Sequence, residues 1–249
     1  MIIKLLSYNI RFGGREREEH LTAVIRQADP DLVVFQEAID PRVIGRLAKA
    51  TGLTRWAAQP AHSIAYISRL DIAHHEWHYP VGSKHSFLEI VPDGTESRIF
   101  GLHLSAIFSK WSEIRRTREI RALLKGIETY QMGMHVLVGD FNTLAPGETL
   151  NTRHMPAWIR TLVWLSGRDI QRATIQFLLD ANYSDGFRTL HPEDKGYTFP
   201  TWDPHVRLDY VFVPKVFNER LQYCAVITQP TAVRQASDHF PILAHINMA

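Results

Sequence analysis

The sequence predicts a layered α/β protein in which two sheets are covered by outer helices. Three observations carry that prediction. Strand-like segments recur along the whole chain with helical segments between them. Residues 55–104 offer three or four strands and no helix, which breaks a simple β-α-β alternation and calls for more than one sheet. The 249 residues are 45% hydrophobic, enough to bury a sizeable core, with no repeat, low-complexity tract or linker to divide them. One domain over 1–249 is expected.

The elements follow in order. Ile2–Ile10 is apolar and β-branched, as a strand requires, and Glu19–Ala28 has helical periodicity. Leu32–Gln36 reads as a strand. Asp40 then supplies an N-cap before Pro41, and the helix Pro41–Ala50 is closed by Gly52. Ser63–Ser68, Phe87–Val91 and Ile99–Leu104 are strands, Ser112–Glu128 is a helix, and His135–Val138 is a strand. Ala157–Leu165, closed by Gly167, and Gln171–Ala181 are helical. Leu208–Val213, Tyr223–Thr228 and Ile242–Ile246 complete the strands.

Charge and composition narrow the function only a little. With 28 Lys and Arg against 26 Asp and Glu, the net charge of +2 does not argue for a nucleic-acid or membrane partner. No stretch of about 18 apolar residues occurs, so no membrane span is expected. The start of the chain has no signal-peptide pattern, and with a lone cysteine a cytoplasmic monomer is expected. That cysteine, Cys224, excludes a thiolate zinc cluster, whereas 13 histidines leave metal, phosphate or acid–base chemistry open.

The polar residues that interrupt the apolar strands are more informative. Asn9 lies in the first strand, and Glu37 directly follows the second. His103 lies within Ile99–Leu104, and Asp140 and Asn142 follow His135–Val138. Asp209 sits inside Arg207-Leu-Asp-Tyr-Val-Phe-Val, and Asp238 and His239 precede the last strand. An unpartnered buried polar group costs a few kcal/mol, and a charge costs more. These residues make most sense if they converge on one site.

Six segments in order, Ser7-Tyr-Asn-Ile-Arg, Gln36-Glu37, Gly101-Leu-His-Leu, Gly139-Asp-Phe-Asn-Thr, Arg207-Leu-Asp-Tyr and Ser237-Asp-His-Phe-Pro, span residues 7–241. In these motifs the chain resembles the endonuclease/exonuclease/phosphatase superfamily of DNase I-like, metal-dependent phosphoesterases. The resemblance implies a four-layer α-β-β-α sandwich: two mixed sheets face to face, helices outside, and the site at one edge. It implies Glu37 as the principal Mg²⁺ or Mn²⁺ ligand with Asn9 and Asp238 close by. His239 would be the general base, oriented by Asp209. Asp140 and Asn142 would position the nucleophile and phosphate oxygens, and His103 would hydrogen-bond the phosphate. The chemistry agrees, because hard cations prefer oxygen ligands and in-line hydrolysis needs an aimed, deprotonated water.

Departures from the pattern bear on the substrate. DNase I-like enzymes support the histidine matching His103 with a carboxylate, and His62 stands at the position that corresponds here. Ile39 replaces an arginine found two residues after the metal glutamate. The Asn-Gly and paired Trp motifs of apurinic-site endonucleases are missing, which lowers abasic-site repair. Trp202 and His205 are candidate substrate-edge groups. His74, His75 and His78 lack metalloprotease spacing and read as solvated edge-strand residues, while His85 has no constellation around it. From Lys110 to Glu128, six basic and three acidic residues leave a net +3; interleaved glutamates favour a solvated face with ordinary helix pairs over a phosphate-binding one.

Residues 144–169 read as a Trp-rich helical insertion in which Trp158, Leu162 and Leu165 form one apolar stripe. It could be a lid that meets substrate through Trp158 or a plain core helix. A nuclease acting on DNA or RNA is the leading expectation. The alternative is a phosphatase or phosphodiesterase for a small phosphorylated molecule or lipid headgroup, such as an inositol phosphate or sphingomyelin-like substrate. A binding module without catalysis is disfavoured because Glu37, Asp140, Asp209 and His239 are all present.

Overall fold

Residues 1–107, 109–148, 161 and 172–249 are described by the computed structural model. Apart from residue 161, the helix expected over Ala157–Leu165, with Trp158, lies outside the described residues. Among those residues, twelve strands form two six-stranded sheets. The first has the order β11-β12-β1-β2-β4-β3. Its members are β1 (Ile2–Asn9), β2 (Leu32–Gln36), β3 (Arg55–Ala57), β4 (Ala65–Ser68), β11 (Leu221–Val226) and β12 (Ile242–Asn247). The second has the order β5-β6-β7-β8-β10-β9. Its members are β5 (Ile72–His78), β6 (Phe87–Pro92), β7 (Arg98–His103), β8 (His135–Asp140), β9 (Tyr183–Asp185) and β10 (Asp209–Pro214). Each sheet is mixed, with one parallel pair, β1–β2 or β7–β8, among antiparallel neighbours.

Alternation along the strands builds three apolar layers. Leu5, Val34, Val136, Val138 and Ile242 fill the space between the sheets. The opposite face of the first sheet, with Leu6, Tyr8 and Val33, packs on α1 (Glu18–Ala28) and α2 (Pro41–Thr51) through Leu21, Val24, Ile44 and Leu47. The outer face of the second sheet, with Phe100, Leu137 and Phe212, packs on α3 (Lys110–Gly126) and α4 (Ala173–Asp180) through Ile120, Leu123, Ile175 and Leu178. The four-layer sandwich is the expected one. Local signals were read correctly at α2: the Asp40 side chain accepts from Arg42 N, and Gly52 closes the helix at φ 78°.

The region 55–104 holds five strands rather than three or four. The additional edge strands β3 and β5 are mostly exposed, so they lack the apolar alternation that marks a half-buried strand. His74, His75 and His78 lie on β5, and Glu89 of neighbouring β6 is committed to His78 at 2.6 Å and Arg98 at 3.1 Å. The hydrogen bond to Glu89 raises the His78 pKa, against burial. A raised folded-state pKa stabilises fully below the unfolded value of about 6.5 and loses that contribution as pH rises through the folded value. His78→Gln should therefore cost stability at pH 5.5, on the order of 1 kcal/mol, and much less at pH 9, as measured by urea unfolding at both pH values. An equal cost at both would show that the charge contributes nothing.

Candidate active site

The strand ends bring the polar residues to one edge. Asn9, His103 and Asp140 are the last residues of β1, β7 and β8, and Asp209 is the first of antiparallel β10. In register, Asp140 stands between His103 on one side and Asp209 on the other. Gly139 permits this close lateral packing. Its φ is +147°, and a Cβ there would lie 1.9 Å from the Leu102 carbonyl oxygen. Glu37 and Asn142, in the turns after β2 and β8, hold left-handed conformations at φ 57° and 53°. Such strain outside glycine persists where the surroundings fix it, often at functional sites.

Two linked clusters result. His239 Nδ1 lies 2.8 Å from Asp209 Oδ2, leaving Nε2 turned toward Asp140 Oδ2 at 3.9 Å. Asn9 Nδ2 donates to Asp140 Oδ2 at 3.0 Å and Glu37 Oε1 at 3.3 Å, joining the two carboxylates from opposite sheets. The second Glu37 oxygen accepts from Phe12 N, and Asp140 Oδ1 accepts from Asn142 N. His103 Nε2 completes the ring, 3.7 Å from Asp140 Oδ2.

Burial governs the charges. It pushes the Asp140 carboxyl above its ordinary range, opposed by His239 and reinforced by Asp209. Burial also opposes a charge on His239, but the Asp209 and Asp140 carboxylates outweigh it and raise the imidazole pKa. His103 moves the other way, because burial lowers its pKa more than Glu37 can raise it. The edge thus contains one imidazole biased toward the cation and one biased toward the neutral form.

Several expected residues sit differently. Asn9 gives its N–H face to the carboxylates, clamping Glu37 to Asp140, while its Oδ1 accepts from Arg11 N. Asp238 lies 3.4 Å from Arg11 Nε and takes a bond from Ser237 Oγ. Asn142 Nδ2 donates to Leu104 O and so braces the loop after β8. His62 does not support His103; its ring faces Pro60 O and Tyr79 OH. The next residue, Ser63, bonds His103 Nδ1 and also accepts from Glu37 N. His62 was one position out, and a serine carries no sequence signal for this role. Trp202 is 63% exposed at the rim and touches Phe199, which packs on His239 with ring centroids 4.8 Å apart. His205 turns to its own loop, bonding Asp203 O.

His85 is the residue that sequence reasoning missed most clearly. Its Nδ1 lies 3.0 Å from buried Glu119 of α3, and its ring stacks on His103 at 6.1 Å. Sequence separation of 34 residues hides this pair from motif reading.

A divalent cation fits the donor set. Glu37 Oε1 and Asp140 Oδ2 lie 3.3 and 3.0 Å from the same Asn9 Nδ2, which brings carboxylates of the two sheets together, and among the described residues Asp140 also shares a cluster of ligand atoms within 4.8 Å with Asp209 and His239. No Lys or Arg among those residues pairs with Glu37, Asp140 or Asp209. Three converging carboxylates with one imidazole and no Lys or Arg to balance them suit a hard cation.

The chain is similar to a 3′ phosphatase, NExo, from Neisseria bound to a product DNA hairpin (18% identity, TM-score 0.75, 98% of this chain and 99% of that one). It is similar to an AP endonuclease from Archaeoglobus fulgidus (17%, TM-score 0.73, 98% and 99%). A third similar structure is an endonuclease/exonuclease/phosphatase from Beutenbergia cavernae (18%, TM-score 0.72, 100% of this chain and 72% of that one). At these identities the likeness speaks for the fold. No curated protein matches the chain in sequence. The sequence model described as Endonuclease/Exonuclease/phosphatase family matches residues 6–239, through the strands and turns that carry all these groups. The chain belongs to the endonuclease/exonuclease/phosphatase family.

Proposed function

We propose that the protein is a divalent-metal-dependent phosphodiesterase whose substrate is nucleic acid, and that it cleaves by in-line attack of water. The observation that carries the reading is the buried His239–Asp209 pair aimed at Asp140, beside carboxylates that no Lys or Arg among the described residues neutralises. Asp209 holds the His239 ring through Nδ1 and leaves Nε2 facing Asp140; with the carboxylate charge that favours the imidazolium offset by a divalent cation held by Glu37 and Asp140, Nε2 is free to take a proton from attacking water. Asp140 orients that water, and Asn142 holds the Asp140 carboxylate through its backbone N–H. His103, biased toward neutrality with Nδ1 bonded to Ser63, presents Nε2 to a phosphate oxygen. Glu37 and Asp140, clamped by Asn9, are the residues that would hold Mg²⁺ or Mn²⁺. The cation, when bound, neutralises charge developing on the phosphate oxygens.

Nucleic acid is favoured over a small phosphate ester because two of the similar structures are described as a DNA-bound 3′ phosphatase and an AP endonuclease. A panel tests it: single- and double-stranded DNA, RNA, bis-p-nitrophenyl phosphate and inositol phosphates, with Mg²⁺ or Mn²⁺. Cleavage of at least one nucleic acid is expected, abolished by EDTA and restored by metal. Hydrolysis of inositol phosphates alone would replace the nuclease reading with the small-molecule one.

A further inference from the structure

Of the glutamates interleaved in α3, Glu113 forms the expected helix pair, but with buried Arg116, and Glu119 pairs with none of the helix's arginines. Glu113 turns inward to Arg116 (2.8 Å), Thr143 and the backbone of Thr174. Glu119, the residue one turn beyond Arg115, turns inward to His85 and Ser105. Among the described residues, exposed Arg115 and Arg118 have no ion-pair partner, nor does exposed Lys84 in the loop before β6. These three cations line an open groove of about 650 Å³ together with Trp111, which is 81% exposed. A chain of neighbours links the groove to the reaction centre: Lys84 precedes His85, His85 stacks on His103, and His103 approaches Asp140.

We propose that this groove holds the phosphates of a single-stranded nucleic acid whose scissile phosphate lies at the Asp140–His239 edge, with Trp111 as a stacking platform for a base. The proposal rests on the nuclease reading and names the part of the surface that engages the strand beyond the cleaved bond. Unpaired cations beside an exposed aromatic are the combination that sequence-tolerant single-strand binding uses. A groove of cations one residue from the His85–His103 contact suits a polymer that reaches both groove and site; a flat lipid surface would not enter it.

The test compares the parent with a Lys84→Gln/Arg115→Gln/Arg118→Gln protein and with Trp111→Ala. Binding of a fluorescein-labelled oligothymidylate is measured by anisotropy over a salt series, in a His239→Ala background so that the strand is not cut. The triple variant should bind at least about 10-fold more weakly, with a salt slope reduced by about 2, since each single-strand phosphate contributes about 0.7. Trp111→Ala should lose about 5-fold or more. With His239 intact, both should hydrolyse bis-p-nitrophenyl phosphate at the parental rate. Unchanged oligonucleotide affinity and slope in a protein that still cleaves DNA overturns the groove and leaves the nuclease reading standing. A parent that binds the strand through these residues yet cleaves no nucleic acid supports the groove and overturns that reading. Loss of binding to phosphatidylserine vesicles with oligonucleotide binding intact also overturns the groove.

Discussion

His239→Ala is expected to lose at least about 10²-fold in turnover of bis-p-nitrophenyl phosphate, with Mg²⁺ or Mn²⁺ saturating and the fold intact by circular dichroism. His239 is buried, so the loss cannot be taken over by bulk solvent reaching the same position. Its Nδ1 is held by Asp209, which fixes the ring and leaves Nε2 as the working atom. Asp209→Asn keeps the shape of the pair but removes the charge that stabilises the imidazolium, and a loss of similar order is expected. The two effects should not add, because both act on one proton transfer. A His239→Ala protein that retained parental turnover would sink the general-base assignment, whatever the substrate proves to be.

The largest expected effect on stability comes from Arg207. It is 1% exposed, and its guanidinium meets both oxygens of Asp185, at 2.8 and 2.5 Å, as well as Glu148 at 2.8 Å. Its cation also lies over the Tyr210 ring, 4.3 Å from the centroid. Arg207→Met fills similar space but strands the nearly buried Asp185 carboxylate, and breaking a buried pair from one side costs about 3–5 kcal/mol. At about 2–4 °C per kcal/mol for a chain of this size, the melting temperature should fall by roughly 10 °C. Removing the stranded charge as well, in Arg207→Met/Asp185→Leu, should recover part of the loss. A melting temperature within about 2 °C of the parent would show that Asp185 finds other partners or water.

Most of the site was legible because polar residues at the ends of apolar strands are costly unless they share partners. Asn9, Glu37, His103, Asp140, Asp209 and His239 announced themselves in that way, and they meet at one edge. Their individual contacts were less legible. Which face of the Asn9 amide points inward and which acid Arg11 approaches depend on side-chain placement that spacing does not encode. Ser63 was missed because a serine beside a strand is ordinary, and the His85–Glu119 pair because it joins a loop to a distant helix. The fold shows the same division. Strands buried on both faces were plain in the sequence, while β3, β5 and three-residue β9 were not, since short or exposed edges need no apolar alternation. The glutamates of α3 form one pair within the helix, Glu113 with buried Arg116, while His85 and Ser105 claim Glu119 and leave the exposed arginines without it.

The pairing of His103, Asp140 and Asp209 across three adjacent strands sets a rule for engineering the protein. Their spacing is metered by the backbone ladder, so a single-residue insertion or deletion within β7, β8 or β10 would turn one of the three to the opposite face. Connecting segments without a reacting group carry no such constraint. Rim segments that hold none of the reacting groups, such as the loop with Trp202, could be exchanged to recruit other phosphate esters, whereas the turns with Glu37 and Asn142 and the segment with His239 belong to the same fixed gauge as the strands.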